Sequence, residues 1–90
     1  MEALLRDGGD LFDGALVCLP NNTGPDAVVQ LAQAGKHILL EKPGAANAAD
    51  AQRMAEAVRT AGVAFQAGYM WRYEEGANRL RDMMADGSFG

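Results

Sequence analysis

Glu41-Lys42-Pro43 is the part of this sequence best equipped for chemistry. It follows directly on the apolar run 38–40, so an acid and a base arrive together at the end of a short core-type segment. A lysine beside a bound substrate can shuttle a proton or polarise a hydroxyl or carbonyl. Pro43 stiffens the turn and fixes where Lys42 points. Two further groups stand in the same relation to apolar runs. Pro20-Asn21-Asn22-Thr23 follows residues 15–19, and Gln66-Ala67-Gly68-Tyr69-Met70-Trp71-Arg72-Tyr73 follows residues 63–65. The planar fork of Arg72 suits a carboxamide or a phosphate.

Each group has a plainer reading. Asn21 and Asn22 equally well turn the chain and cap the next helix. Glu41 and Lys42 can form a solvated pair worth little. Trp71 and Tyr73 can be core or interface residues, and Arg72 can pair with an acid. His37 precedes a strand, away from the other candidates, and reads as structural. Cys18 lies in an apolar run and reads as a small buried hydrophobe; a nucleophile would need a partner base.

The elements that must position these residues alternate. The three apolar runs read as parallel strands at about 14–19, 37–41 and 63–67. The first two lack polar alternation, which predicts burial on both faces. Helices are expected at about 2–7, 24–34, 47–61 and 74–86. Thr23 and Asp26 have capping-box spacing, with Pro25 in the first turn. Val28, Leu31 and Ala32 form one face, and Gly35 is the stop. Asn47 caps the next helix, Ala51, Met54, Ala55 and Val58 make its stripe, and Gly62 ends it. In the last helix Ala77, Leu80 and Met84 are expected to face inward. The fold class is therefore α/β, a partial doubly wound parallel sheet with right-handed crossovers. Ligands of such sheets bind at the carboxyl ends of the strands, where the candidates collect.

Composition narrows the function. The chain has 90 residues, enough for one domain, and 49% are apolar. The net charge of −4, with no basic run, argues against nucleic acid as a partner. No stretch approaches the ~20 apolar residues of a membrane span. A single cysteine and no signal-peptide pattern suggest a cytoplasmic setting. No metal-ligand set is expected.

Ala34-Gly35-Lys36-His37, the apolar strand after it, Glu41-Lys42-Pro43, and Gly68-Tyr69-Met70-Trp71-Arg72-Tyr73 together resemble the glucose–fructose oxidoreductase / inositol dehydrogenase / MocA family. The similarity runs over nearly the whole chain, and the motifs in register are specific. It implies an oxidoreductase using NAD or NADP, with an N-terminal Rossmann domain and a second α/β domain. Sugars, cyclitols and related hydroxyl or carbonyl compounds are the implied substrates, and a homo-oligomer the implied assembly. By the same resemblance Leu19, Pro20 and Asn21 line the cofactor, and Glu41 contacts the nicotinamide ribose region. Lys42 is then the catalytic residue, assisting proton transfer at the substrate hydroxyl and touching the cofactor. Arg72 with Trp71 sits beside the nicotinamide, and the Lys42–Pro43 peptide is expected to be cis.

The sequence also departs from that pattern. Leu19 and Gly24 stand where the family often has Thr and His, and Gly44 stands where an apolar residue usually follows Glu-Lys-Pro. No Gly-x-Gly-x-x-Gly turn occurs, nor an acidic residue ending a second strand to hold the adenosine ribose, so the usual phosphate and ribose sites are missing. Residues 1–90 thus read as the C-terminal half of an NAD(P)-binding Rossmann domain, inactive alone. The alternatives are a non-catalytic α/β interaction module and a half-enzyme completed by another chain.

Overall fold

Short apolar runs between glycine-stopped helices produce the expected alternation. The computed structural model describes residues 1–88, the side chain of Trp71 excepted. In chain order they form α1 (Glu2–Gly8), β1 (Gly14–Val17), α2 (Gly24–Gln33), β2 (His37–Leu40), α3 (Ala48–Ala61), β3 (Phe65–Ala67) and α4 (Glu75–Ala85). One-turn 3-10 helices occupy Gly9–Leu11 and Met70–Tyr73. The strands are parallel in the order β1-β2-β3. Their register aligns Ala15 with Ile38 and Phe65, and Val17 with Leu40 and Ala67.

Local chemistry sets the helix ends. α2 and α3 stop before Gly35 and Gly62, whose φ of +76° and +69° suit glycine. Asn47 caps α3 by accepting the Asp50 N–H at 2.8 Å. The capping box expected at Thr23 does not form. Thr23 Oγ1 donates instead to the Pro20 carbonyl at 3.1 Å, and its own backbone is helical.

One face of the sheet carries the core. Val17, Ile38 and Leu40 lie under α2, whose Ala27, Val28, Leu31 and Ala32 are buried against them. Each fully buried aliphatic side chain contributes about 1.5–3 kcal/mol. α3 packs mainly on α2 and adds Met54. The rest of its stripe faces a cleft of about 740 Å³ in front of Leu40, Phe65 and Ala67, so Ala51 and Ala55 stay exposed.

Burial on both faces, as read from the apolar runs, is not found. Leu16 is 63% and Leu39 45% exposed, because alternate strand residues point away from the two helices and nothing among the described residues buries that side. Cys18 is likewise exposed, since β1 ends at Val17 and Cys18 lies past the covered region. Leu80 and Met84 do not face a core: α4 packs mainly against the Met70–Tyr73 turn, and both residues are at least half exposed. This outlying helix draws the molecule out to 55 Å, with a radius of gyration of 16.2 Å. A compact chain of this length would have about 12 Å.

Lys36 and His37 tie the elements at the far end of the sheet. Lys36 Nζ donates to the carbonyls of Gly9 and, at 2.7 Å, Phe12. His37 Nδ1 accepts the Ala64 N–H at 3.0 Å, which joins β2 to the approach of β3.

Candidate functional site at the carboxyl edge of the sheet

Beyond Val17, Leu40 and Ala67 the ladder runs one step further. Glu41 N–H donates to the Val17 carbonyl at 2.9 Å, and Gly68 N–H to the Leu40 carbonyl at 2.8 Å. These bonds hold Glu41 and Gly68 at one level; beyond it the chain turns, with the Tyr69 N–H on the Ala67 carbonyl at 2.9 Å. Gly68 lies against the acid. A Cβ there would stand 3.6 Å from Glu41 Oε2 and 3.5 Å from the Leu40 carbonyl.

Glu41 and Lys42 do not form an ion pair among the described residues. Glu41 Oε1 instead accepts the Lys42 backbone N–H at 3.2 Å. Lys42 is exposed, and its ammonium has no hydrogen-bond partner among the described residues. The Lys42–Pro43 peptide is cis, as the family resemblance implied. Gly44 follows with φ +90°, a conformation that favours glycine. The Tyr69 hydroxyl donates to the Pro43 carbonyl and ties this turn to the exit of β3.

The exit of β1 is a tight turn built on one acceptor. The Pro20 carbonyl takes the Thr23 N–H at 3.0 Å, the Gly24 N–H at 2.9 Å and the Thr23 hydroxyl. The Asn21 and Asn22 side chains make no hydrogen bond among the described residues, so their amides do not hold the turn. Leu19 and Pro20 are exposed beside it. Gly24, at the start of α2, lies near both the Leu19 carbonyl and the Leu40 side chain. The first two candidate groups are therefore neighbours.

The third stands further out. Arg72 belongs to the Met70–Tyr73 turn, with its N–H on the Tyr69 carbonyl at 3.1 Å. Its exposed guanidinium forms no ion pair among the described residues. The side chain of Trp71 lies outside the described residues. Tyr73 is two-thirds exposed and accepts from Gln66 Nε2. Sequence reasoning gave no role to Gly68, which lies level with Glu41, or to Tyr69, whose hydroxyl reaches the Pro43 carbonyl.

This edge presents an amide, a carboxylate, an ammonium and a guanidinium with open hydrogen-bonding capacity. Such a set suits a ligand rich in hydroxyls that also carries a carboxamide. Among the described residues no group of three or more His, Cys, Asp or Glu could hold a metal. No helix there is long and apolar enough to cross a membrane.

Comparison with known proteins agrees with this arrangement. Residues 1–69 match the GFO/IDH/MocA oxidoreductase family, NAD-binding Rossmann fold. The chain is 35% identical over 78 residues to myo-inositol 2-dehydrogenase of Thermotoga maritima, covering 87% of this chain and 23% of that protein. The WlbA dehydrogenase of Bordetella pertussis, solved with NADH and UDP-GlcNAcA, superimposes on 100% of the chain with a TM-score of 0.85 and 28% identity. A 3-ketoreductase from Actinomadura kijaniata, solved with NADP and TDP-benzene, matches 97% of it with a TM-score of 0.79 and 26% identity. The chain spans 25% and 26% of those two proteins, about a quarter of the length of each relative. With strand order, edge chemistry and sequence in agreement, the chain belongs to the glucose–fructose oxidoreductase / inositol dehydrogenase / MocA family of NAD-binding Rossmann-fold oxidoreductases.

Proposed function

We propose that this chain is the second half of the NAD(P)-binding domain of an oxidoreductase acting on a sugar, cyclitol or related hydroxyl or carbonyl compound. One observation carries the reading. Two neighbouring strand ends deliver the Asn21 amide, the Glu41 carboxylate and an ammonium on Lys42 that has no partner among the described residues to the same edge of a parallel sheet.

When bound, the nicotinamide cofactor supplies or accepts the hydride. Leu19, Pro20 and Asn21 would line it near the phosphates and ribose, and Glu41 would accept from the nicotinamide ribose. Arg72, with Trp71, would stand beside the nicotinamide. Lys42 would take the proton of the substrate hydroxyl during oxidation and return it during reduction. Either NAD or NADP is compatible, since the two solved relatives hold one each. The whole protein would be a homo-oligomer with a sugar-like small molecule as substrate. Residues 1–90 by themselves would be inactive, because they contain no glycine-rich phosphate turn.

The test uses the uninterrupted protein that contains this segment. With a panel of polyols and aldoses, cofactor reduction is followed by nicotinamide absorbance. Lys42→Ala is expected to lower kcat by about 10²- to 10⁴-fold, the range for a lost general acid–base group. An unchanged kcat in that variant would sink the proposal.

A further inference from the structure

Lys42 is the one candidate whose side chain must point somewhere definite, yet its ammonium is tethered to nothing among the described residues. Its direction therefore depends on the backbone on either side. On the amino side, its own N–H is fixed by the Glu41 carboxylate at 3.2 Å. On the carboxyl side, the next carbonyl, that of Pro43, accepts the Tyr69 hydroxyl from 26 residues along the chain. Tyr69 lies two residues past the end of β3, so this bond ties the turn to the neighbouring strand's exit.

Gly44 is matched to the brace. Its φ of +90° suits glycine, and a Cβ there would stand 3.4 Å from the Tyr69 hydroxyl oxygen. A larger residue in this position would be strained in its backbone. The Tyr69 ring is half exposed and lines the apolar cleft together with Leu40, Pro43 and Ala67, so it is anchored without being buried. Its hydroxyl proton is engaged on Pro43, which leaves it a supporting and not a reacting group.

We propose that Tyr69 is the positioning residue of this site: its hydroxyl clamps the Lys42–Pro43 turn and so aims the Lys42 ammonium at the carboxyl edge of the sheet. This inference rests on Lys42 handling the substrate proton.

The experiment is a double-mutant cycle in the uninterrupted protein, with carbonyl NMR of the 90-residue chain beside it. Tyr69→Phe is expected to lower kcat about tenfold, with the KM for cofactor and the melting temperature unchanged; tenfold corresponds to about 1.4 kcal/mol, one hydrogen bond. Because Tyr69 acts through Lys42, the same change made on Lys42→Ala should cost nothing further. An equal loss in both backgrounds, or no loss in either, overturns the positioning role. In the 90-residue chain the Pro43 carbonyl carbon resonance should move upfield in Tyr69→Phe; an unmoved resonance removes the clamp itself. If Lys42→Ala alone keeps full kcat, the reading of Lys42 falls and the positioning role with it. The Pro43 resonance still reports the bond independently, which separates the two failures.

Discussion

The Lys36 ammonium lies 4.8 Å from the centre of the Phe12 ring and donates to the Phe12 carbonyl at 2.7 Å. A second donation goes to the Gly9 carbonyl, in the turn that follows α1. A cation here satisfies carbonyls that the end of a helix leaves open, and it gains from the helix dipole. The lysine of the Gly-Lys-His motif thus organises the approach to β1 and stands far from the carboxyl edge. Lys36→Met should lower unfolding free energy by about 1–3 kcal/mol, the cost of stranding acceptors, measured by urea titration. A stability equal to the parent's would assign those carbonyls to water.

The core rests on few side chains, so its centre is sensitive. Leu31 is 1% exposed between the sheet and α2's neighbours. Leu31→Ala should cost about 2–5 kcal/mol, a large share of what a chain this small can have. The expected outcome is loss of the cooperative melt. Retention of a sharp transition within a few degrees of the parent would show a core larger than Val28, Leu31 and their neighbours.

Cofactor affinity separates edge from site. The 90-residue chain carries one wall of the proposed cofactor site and no glycine-rich turn. Fluorescence titration with NADH or NADPH should therefore show no saturable binding. A micromolar dissociation constant would mean that the groups at Asn21, Glu41 and Lys42 hold the cofactor without a phosphate turn.

Acid acts at the end of α4. Asp86 accepts from the Ser88 hydroxyl and from its N–H at 2.9 Å, and these bonds hold its carboxyl below the usual value of 3.8. A depressed carboxylate stabilises the folded state above the unfolded pKa. That contribution is lost as pH falls through the lower folded value. In Ser88→Ala the Asp86 midpoint, followed by carboxyl NMR, should rise toward 3.8. A midpoint that stays put would trace the depression elsewhere.

Backbone punctuation made much of this fold legible. Gly35, Gly62 and Asn47 act where the sequence places them, because each answers a local need of the helix end. The parallel strands were legible from their apolar runs, although each strand is shorter than expected. The failures over burial share one cause. Leu16, Leu39, Cys18, Leu80 and Met84 are apolar enough to want burial, but hydrophobicity does not say which surface will cover them. Thr23 misled because a hydroxyl can donate backward to Pro20 as readily as it can cap forward.

The candidate edge was legible in its residue types, since Pro20, Asn21, Glu41, Lys42 and Arg72 all follow strands. Its internal bracing was not. Tyr69 meets Pro43 only after β2 and β3 are set side by side, and no local pattern marks a contact over 26 residues.

The outlying position of α4 has a thermodynamic consequence. Opening it uncovers little apolar surface, so the free energy that protects its amide protons is close to zero, whereas those of α2 open only with the whole core. The cooperative unit therefore ends near the Met70–Tyr73 turn. In hydrogen exchange the last helix should lose its protons early, at a rate that mutations in the core leave unchanged.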